Sequence, residues 1–103
     1  MRLSDRVHKG PSSIHGTGLF AKVPIESDTW IGTYQGPTAT RNGMYVLWVT
    51  HEDGREEGRS GRNLLRYLNH AVPPNAWFDG FELYAGRDIE AGEELTIDYG
   101  WER

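Results

Sequence analysis

Short β-prone runs, cut apart by glycine and proline, leave this chain little room for anything but a mainly β fold. Thirteen glycines and five prolines are spread over 103 residues. Both punctuate regular structure, glycine by turning where φ is positive and proline by withholding a backbone donor. The runs between them predict strands at 18–22, 29–34 and 45–50. The charged, Gly-rich segment 53–61 (DGREEGRSG) reads as a surface loop. Only residues 63–68 (NLLRYL) have a short helical look, with Asn63 as the N-cap. Asp79-Gly80, between the β-prone runs 76–78 and 81–85, predicts a two-residue type I′ hairpin, and 95–99 a final strand. Segments 23–28 and 87–92 echo each other, each placing an isoleucine (Ile25, Ile89) before a polar turn that launches a strand.

At this length one domain over residues 1–103 is expected. Without cysteine there is neither a disulfide framework nor a thiolate zinc cluster. His8, His15, His51 and His70 lack the spacing of a ligand pair, so no metal site is expected. The N-terminal ten residues carry no signal-like apolar run, and no window approaches a membrane span, so a cytoplasmic protein with no membrane partner is expected. Charge is uneven: residues 1–50 carry five Lys/Arg and three Asp/Glu, residues 51–103 six and twelve. An acidic second half repels phosphates and favours a basic protein or peptide over nucleic acid.

Two motifs stand out. His15-Gly16-Thr17-Gly18-Leu19-Phe20 is a Gly-x-Gly turn entering a strand, where a ligand can approach bare backbone, although a simple tight turn is the commoner explanation of such a stretch taken alone. Asn69-His70 follows the helical run and precedes Pro73-Pro74, so both side chains leave the chain at a constrained corner. Either Asn69 caps a turn and His70 fills a pocket, or the Asn69 amide grips a polar ligand.

Taken in order, the segments 15–21 (HGTGLFA), 31–36 (IGTYQG), 63–70 (NLLRYLNH) with Pro74-Asn75, and 92–100 (GEELTIDYG) resemble the successive motifs of SET domains, a family of S-adenosylmethionine-dependent protein-lysine methyltransferases. The resemblance implies a SET-domain (β-clip-like) fold of several small sheets, with one short helical turn and a C-terminal pseudoknot that brings Asn69, His70 and Tyr99 together. It implies a cofactor site formed by Gly16, Thr17, Gly18, Leu19 and Phe20 with Asn69 and His70. It also implies that Tyr99 lies at the transfer centre, and that Tyr34, Phe78, Ile97 and Trp101 line the substrate channel, Tyr34 sharing the catalytic role. The chain departs from the family pattern at Thr33, Pro37, Arg62 and Ala71-Val72.

The residue types suit the chemistry so implied. A sulfonium methyl is already activated, so the protein has only to align amine, methyl and sulfur and to strip water away. A lysine of pKa about 10.4 is neutral in roughly one molecule of 2,500 at pH 7, a cost of about 4.6 kcal/mol. An aromatic, desolvated channel beside a cation reduces that cost. The expected activity is methylation of lysine on a histone or histone-like protein, in the nucleus if the source is eukaryotic. Phe78 and Ile97 bring no hydroxyl to the channel, which predicts room for more than one methyl group. The competing reading is a non-catalytic module that holds basic peptides in an acidic groove, and a homodimer is compatible with either.

Overall fold

The computed structural model describes residues 2–99. A one-turn helix α1 (Leu3–Arg6) leads into β1 (Val7–Pro11), which folds back antiparallel on β2 (Thr17–Ala21) with His8 opposite Phe20 and Gly10 opposite Gly18. Next come β3 (Trp30–Thr33), β4 (Thr38–Ala39), β5 (Val46–Thr50) and β6 (Glu56–Ser60). A 3-10 turn at Leu64–Tyr67 precedes β7 (Asn69–His70), β8 (Ala76–Asp79), β9 (Glu82–Ala85) and β10 (Glu94–Ile97). These strands form three small sheets, ordered β1-β2-β10-β7, β3-β9-β8 and β4-β6-β5.

Alternating apolar positions turn the first two sheets toward one core. Leu19, Leu83, Ile89 and Leu95 are fully buried, and Ile31, Leu65 and Leu68 nearly so. Each such side chain contributes about 1.5–3 kcal/mol of transfer free energy. The two echoing segments turn out to be partners: Ile25 and Ile89 bond each other's backbone in both directions at 2.8 Å.

Three local expectations are corrected. Segment 53–61 is not all loop, because Glu56–Ser60 forms the central strand of the third sheet, paired with β5 on one side and β4 on the other. The Asp79-Gly80 hairpin is shifted by one residue. Strands end at Asp79 and resume at Glu82, so Gly80-Phe81 is the turn. Only Gly80 there has positive φ (61°), the pattern of a type II′ turn with glycine first rather than the type I′ turn expected. Asn63 does flank the 3-10 turn, but its side chain makes no cap bond and donates instead to the Thr33 carbonyl at 2.8 Å.

The last strand is held on every side. β10 lies antiparallel to β2, Leu95 facing Leu19, and parallel to β7, with Thr96 opposite Asn69 and Ile97 opposite His70. Ala71 N–H continues that ladder to the Ile97 carbonyl at 3.1 Å. A few residues on, Asn75, only 3% exposed, closes the loop back onto β10. Its Oδ1 accepts from Thr96 N–H at 2.8 Å, and its Nδ2 donates to the Glu94 carbonyl at 2.7 Å. The loop 71–75 thus clasps β10 at both ends, and this embrace fixes where the following Asp98 and Tyr99 emerge.

Candidate functional site

Pairing of β7 with β10 sets Tyr99 beside the Asn-His corner. Tyr99 N–H donates to His70 Nδ1 at 2.9 Å, and the two rings lie 5.4 Å apart, tilted by 48°. An accepting Nδ1 places the proton of a neutral ring on Nε2. The Tyr99 hydroxyl donates to the carbonyl of Leu68, the residue before Asn69.

From Asn69 the network runs to the Gly-x-Gly turn. The Asn69 amide Nδ2 lies 3.0 Å from the His15 carbonyl, 3.4 Å from that of Thr17, 2.9 Å from Glu94 Oε2 and 3.1 Å from Ser12 Oγ. Ser12 Oγ sits 2.8 Å from both Glu94 oxygens and accepts from Ile14 N–H at 2.9 Å. A Cβ at Gly18 would overlap the Glu94 carboxylate, which would have to leave its place beside Ser12 and Asn69. The arrangement is that of the turn-holding reading: the Asn69 amide nitrogen is engaged within the protein, and the turn it holds is the one expected to carry the ligand. Ser12 lies outside the four motif segments, and Glu94 lies within 92–100 with no role expected of it.

An open groove of about 370 Å³ runs over this turn, lined by Lys9, Gly10, Pro11, Gly16, Thr17 and Tyr67. A second hollow of about 500 Å³ shares Lys9 and Tyr67 in its lining, and Arg2, Arg62 and Arg66 add cationic groups there. The Arg66 guanidinium lies 5.1 Å from the Tyr45 ring centre and 4.9 Å from that of Tyr67, and it donates to the Tyr67 hydroxyl at 2.8 Å. Bare backbone at Gly16-Thr17, aromatic rings and nearby cations fit a ligand with an adenosine body and an amino-acid carboxylate, as S-adenosylmethionine has. Lys9 carries no local signal of its place, because β1 has few apolar residues to mark it as a strand.

Of the four residues expected to line the channel, Tyr34 and Phe78 lie together and Ile97 belongs to the same buried core. Tyr34 is 6% and Ile97 9% exposed, and Phe78 packs edge-on against Tyr34 at 5.8 Å between ring centres. Trp101 lies outside the described residues. The Tyr34 hydroxyl donates to the Tyr45 carbonyl at 2.5 Å. Burial pushes its pKa up to about 12, with Tyr99 adding to the shift, and burial raises Tyr99 as well. Both hydroxyls stay protonated at neutral pH, so neither serves as a base there. Each gives its proton to a backbone carbonyl and can meet an amine only as an acceptor.

Gly61 makes room for Tyr34. A Cβ there would lie 2.5 Å from the tyrosine Cζ, too close for the ring to stay. Gly61→Ala is expected to displace Tyr34 from the Tyr45 carbonyl and to destabilise the fold by about 1–3 kcal/mol. Thermal denaturation checks this, and an unchanged melting temperature would show that Tyr34 is not held where described.

Three of the departures from the family pattern have a visible place in this frame. Ala71 takes part through its backbone alone, Val72 is half exposed, and Thr33 bonds Glu82 through Oγ1 at 2.6 Å.

Comparison with known proteins agrees with the geometry. The family model for the SET domain matches residues 16–100. The chain is 33% identical over 116 residues to the H3 lysine-4 specific histone-lysine N-methyltransferase of Schizosaccharomyces pombe, a match covering 91% of this chain and 13% of that protein. It is 26% identical to the histone-lysine N-methyltransferase MEDEA of Arabidopsis thaliana, over 96% of this chain and 17% of that one. The chain thus spans less than a fifth of either relative's length. Among solved structures, the methyltransferase domain of human PR domain-containing protein 2 superposes with a TM-score of 0.74 at 23% identity, covering 94% of this chain and 78% of that one, a likeness of fold. With the four motifs placed in one clasped structure and the family match running through them, the chain belongs to the SET-domain family.

Proposed function

We propose that this chain transfers a methyl group from S-adenosylmethionine to the ε-amine of lysine in a basic protein, histone or histone-like. The observation that carries the reading is the unbroken set of contacts from the groove-lining turn through Asn69 to Leu68 and the Tyr99 hydroxyl.

The cofactor supplies an activated methyl on a cationic sulfur. The chain's part is placement and desolvation. Asn69, Ser12 and Glu94 fix the turn at His15 and Thr17, so the backbone that would face the cofactor is preorganised. Lys9 and the neighbouring arginines favour a carboxylate in the groove. Tyr34, Phe78 and Ile97 offer a lysine a largely dry, aromatic surround, which disfavours its charged form. The Tyr34 and Tyr99 hydroxyls orient the amine by accepting its N–H bonds and add no charge.

The relatives are histone-lysine methyltransferases by name, which points to histone lysine as the substrate class, and the acidic second half of this chain suits a basic tail. The test is incubation of the chain and a panel of basic proteins with methyl-labelled S-adenosylmethionine. Label on lysine is expected, and mass spectrometry should find more than one methyl on a modified residue. No incorporation into any member of the panel would overturn the assignment and favour a module that only binds basic peptides.

A further inference from the structure

The sheet β3-β9-β8 has an outer face that the proposed transfer site does not use. Leu83 and Ala85 of β9 point into the core, so Glu82 and Tyr84 point out. On β8, Ala76 is buried and Phe78 packs inward against Tyr34, so Trp77 and Asp79 point out. Register places Trp30, Tyr84 and Trp77 in one row across the three strands. Trp77 stacks on Tyr84 at 5.4 Å with 26° between the rings. Trp30 is 44% and Trp77 47% exposed.

Carboxylates flank this aromatic row. Glu82 accepts from Trp30 Nε1 at 2.8 Å and from Thr33 Oγ1 at 2.6 Å, and both bonds fall on Oε1, which leaves Oε2 able to accept more. Asp79 stands directly opposite Glu82 in the hairpin. Like charges so placed repel, and a cation brought between them relieves the repulsion. Arg6 reaches this sheet only at its edge, where its guanidinium donates to the Trp30 carbonyl at 2.7 Å.

We propose that this face docks a basic segment of a partner protein, its arginine or lysine side chains laid on the Trp77–Tyr84 stack and paired with Glu82 and Asp79. Charge selects that occupant: exposed rings attract cations through their π faces, and two carboxylates add directional acceptors. A purely apolar partner would have to bury both carboxylates without compensation. The surface lies on the side of the sheet opposite Phe78 and Tyr34, so it can hold one stretch of a basic chain while another occupies the channel.

The test follows the indole N–H signals of the full chain in ¹H–¹⁵N spectra during titration with hexa-arginine, a probe with no lysine side chain to enter the channel and no need of cofactor. Saturable shifts of the Trp30 and Trp77 indoles are expected, weakened by added salt and absent with hexaglutamate. Glu82→Gln and Trp77→Ala should each loosen binding by about fivefold. Indoles that stay fixed at millimolar peptide, or an affinity that neither variant changes, would overturn the proposal. So would indole shifts produced by concentrating the protein alone, which would assign the face to a second copy. Because no methyl transfer is involved, failure here leaves the transfer assay standing, and the reverse also holds.

Discussion

Tyr99→Phe is expected to lower methyl transfer by about 10²-fold or more while S-adenosylmethionine still binds. The hydroxyl is what the substitution removes, and in the structure it lies against the Leu68 carbonyl, one residue from Asn69. Its loss deletes an acceptor for the incoming amine and the anchor that aims the ring. The Tyr99 backbone bond to His70 does not involve the side chain, so the end of β10 keeps its course. Stability should fall by only about 1 kcal/mol, the worth of one hydrogen bond. Measured turnover and circular dichroism together decide the case. A variant within threefold of the parent's turnover would remove Tyr99 from the transfer centre, and one that unfolds would make its role architectural.

The largest stability effect is expected at Asn75. Its side chain serves two backbone groups of β10, Thr96 N–H and Glu94 C=O, and it also donates to Glu93 Oε2 at 3.2 Å. Asn75→Ala orphans the buried Thr96 N–H, at about 1–3 kcal/mol, and the part-buried Glu94 C=O at a smaller cost. A loss of about 3 kcal/mol in a chain of this size lowers the melting temperature by roughly 12–24 °C. Because β10 delivers Tyr99, transfer should fall with it even at temperatures where the variant remains folded. A shift of less than about 5 °C would mean the clasp on β10 rests on the β7 pairing alone.

The parts legible in the sequence were those whose signal is local. The β-prone runs 18–22 and 95–99 and the glycine-marked hairpin identify strands through side chains that face the core, although the last strand runs over Glu94–Ile97 and stops short of Asp98 and Tyr99. β6 was not legible, since Glu56–Ser60 carries no apolar side chain. It is held by neighbours: the Trp48 ring packs over Gly58, His51 meets Glu57 at 2.9 Å, and Arg59 donates to the Tyr34 carbonyl at 3.0 Å while stacking 3.9 Å from the Phe81 ring centre. Its strand state is tertiary in origin, and propensity cannot report it.

The site divides the same way. Gly16 to Gly18, Asn69 and Tyr99 fall in recognisable motifs, and the structure links them. Ser12, Glu94 and Lys9 matter through contacts spanning more than fifty residues or through the pairing of β1 with β2, and no short pattern encodes such contacts. The Ile25–Ile89 bridge shows the intermediate case. The echo between the two segments was visible, but that they meet was not.

Calorimetric titration of the purified chain with S-adenosylmethionine tests the central claim most directly, because the groove, the turn and the Asn69 network all predict one ligand. Saturable binding at one site per chain is the expected result, weakened at least tenfold in a Gly18→Val variant, whose side chain would press on Glu94 and spoil the turn. No heat of binding at millimolar ligand would contradict the account.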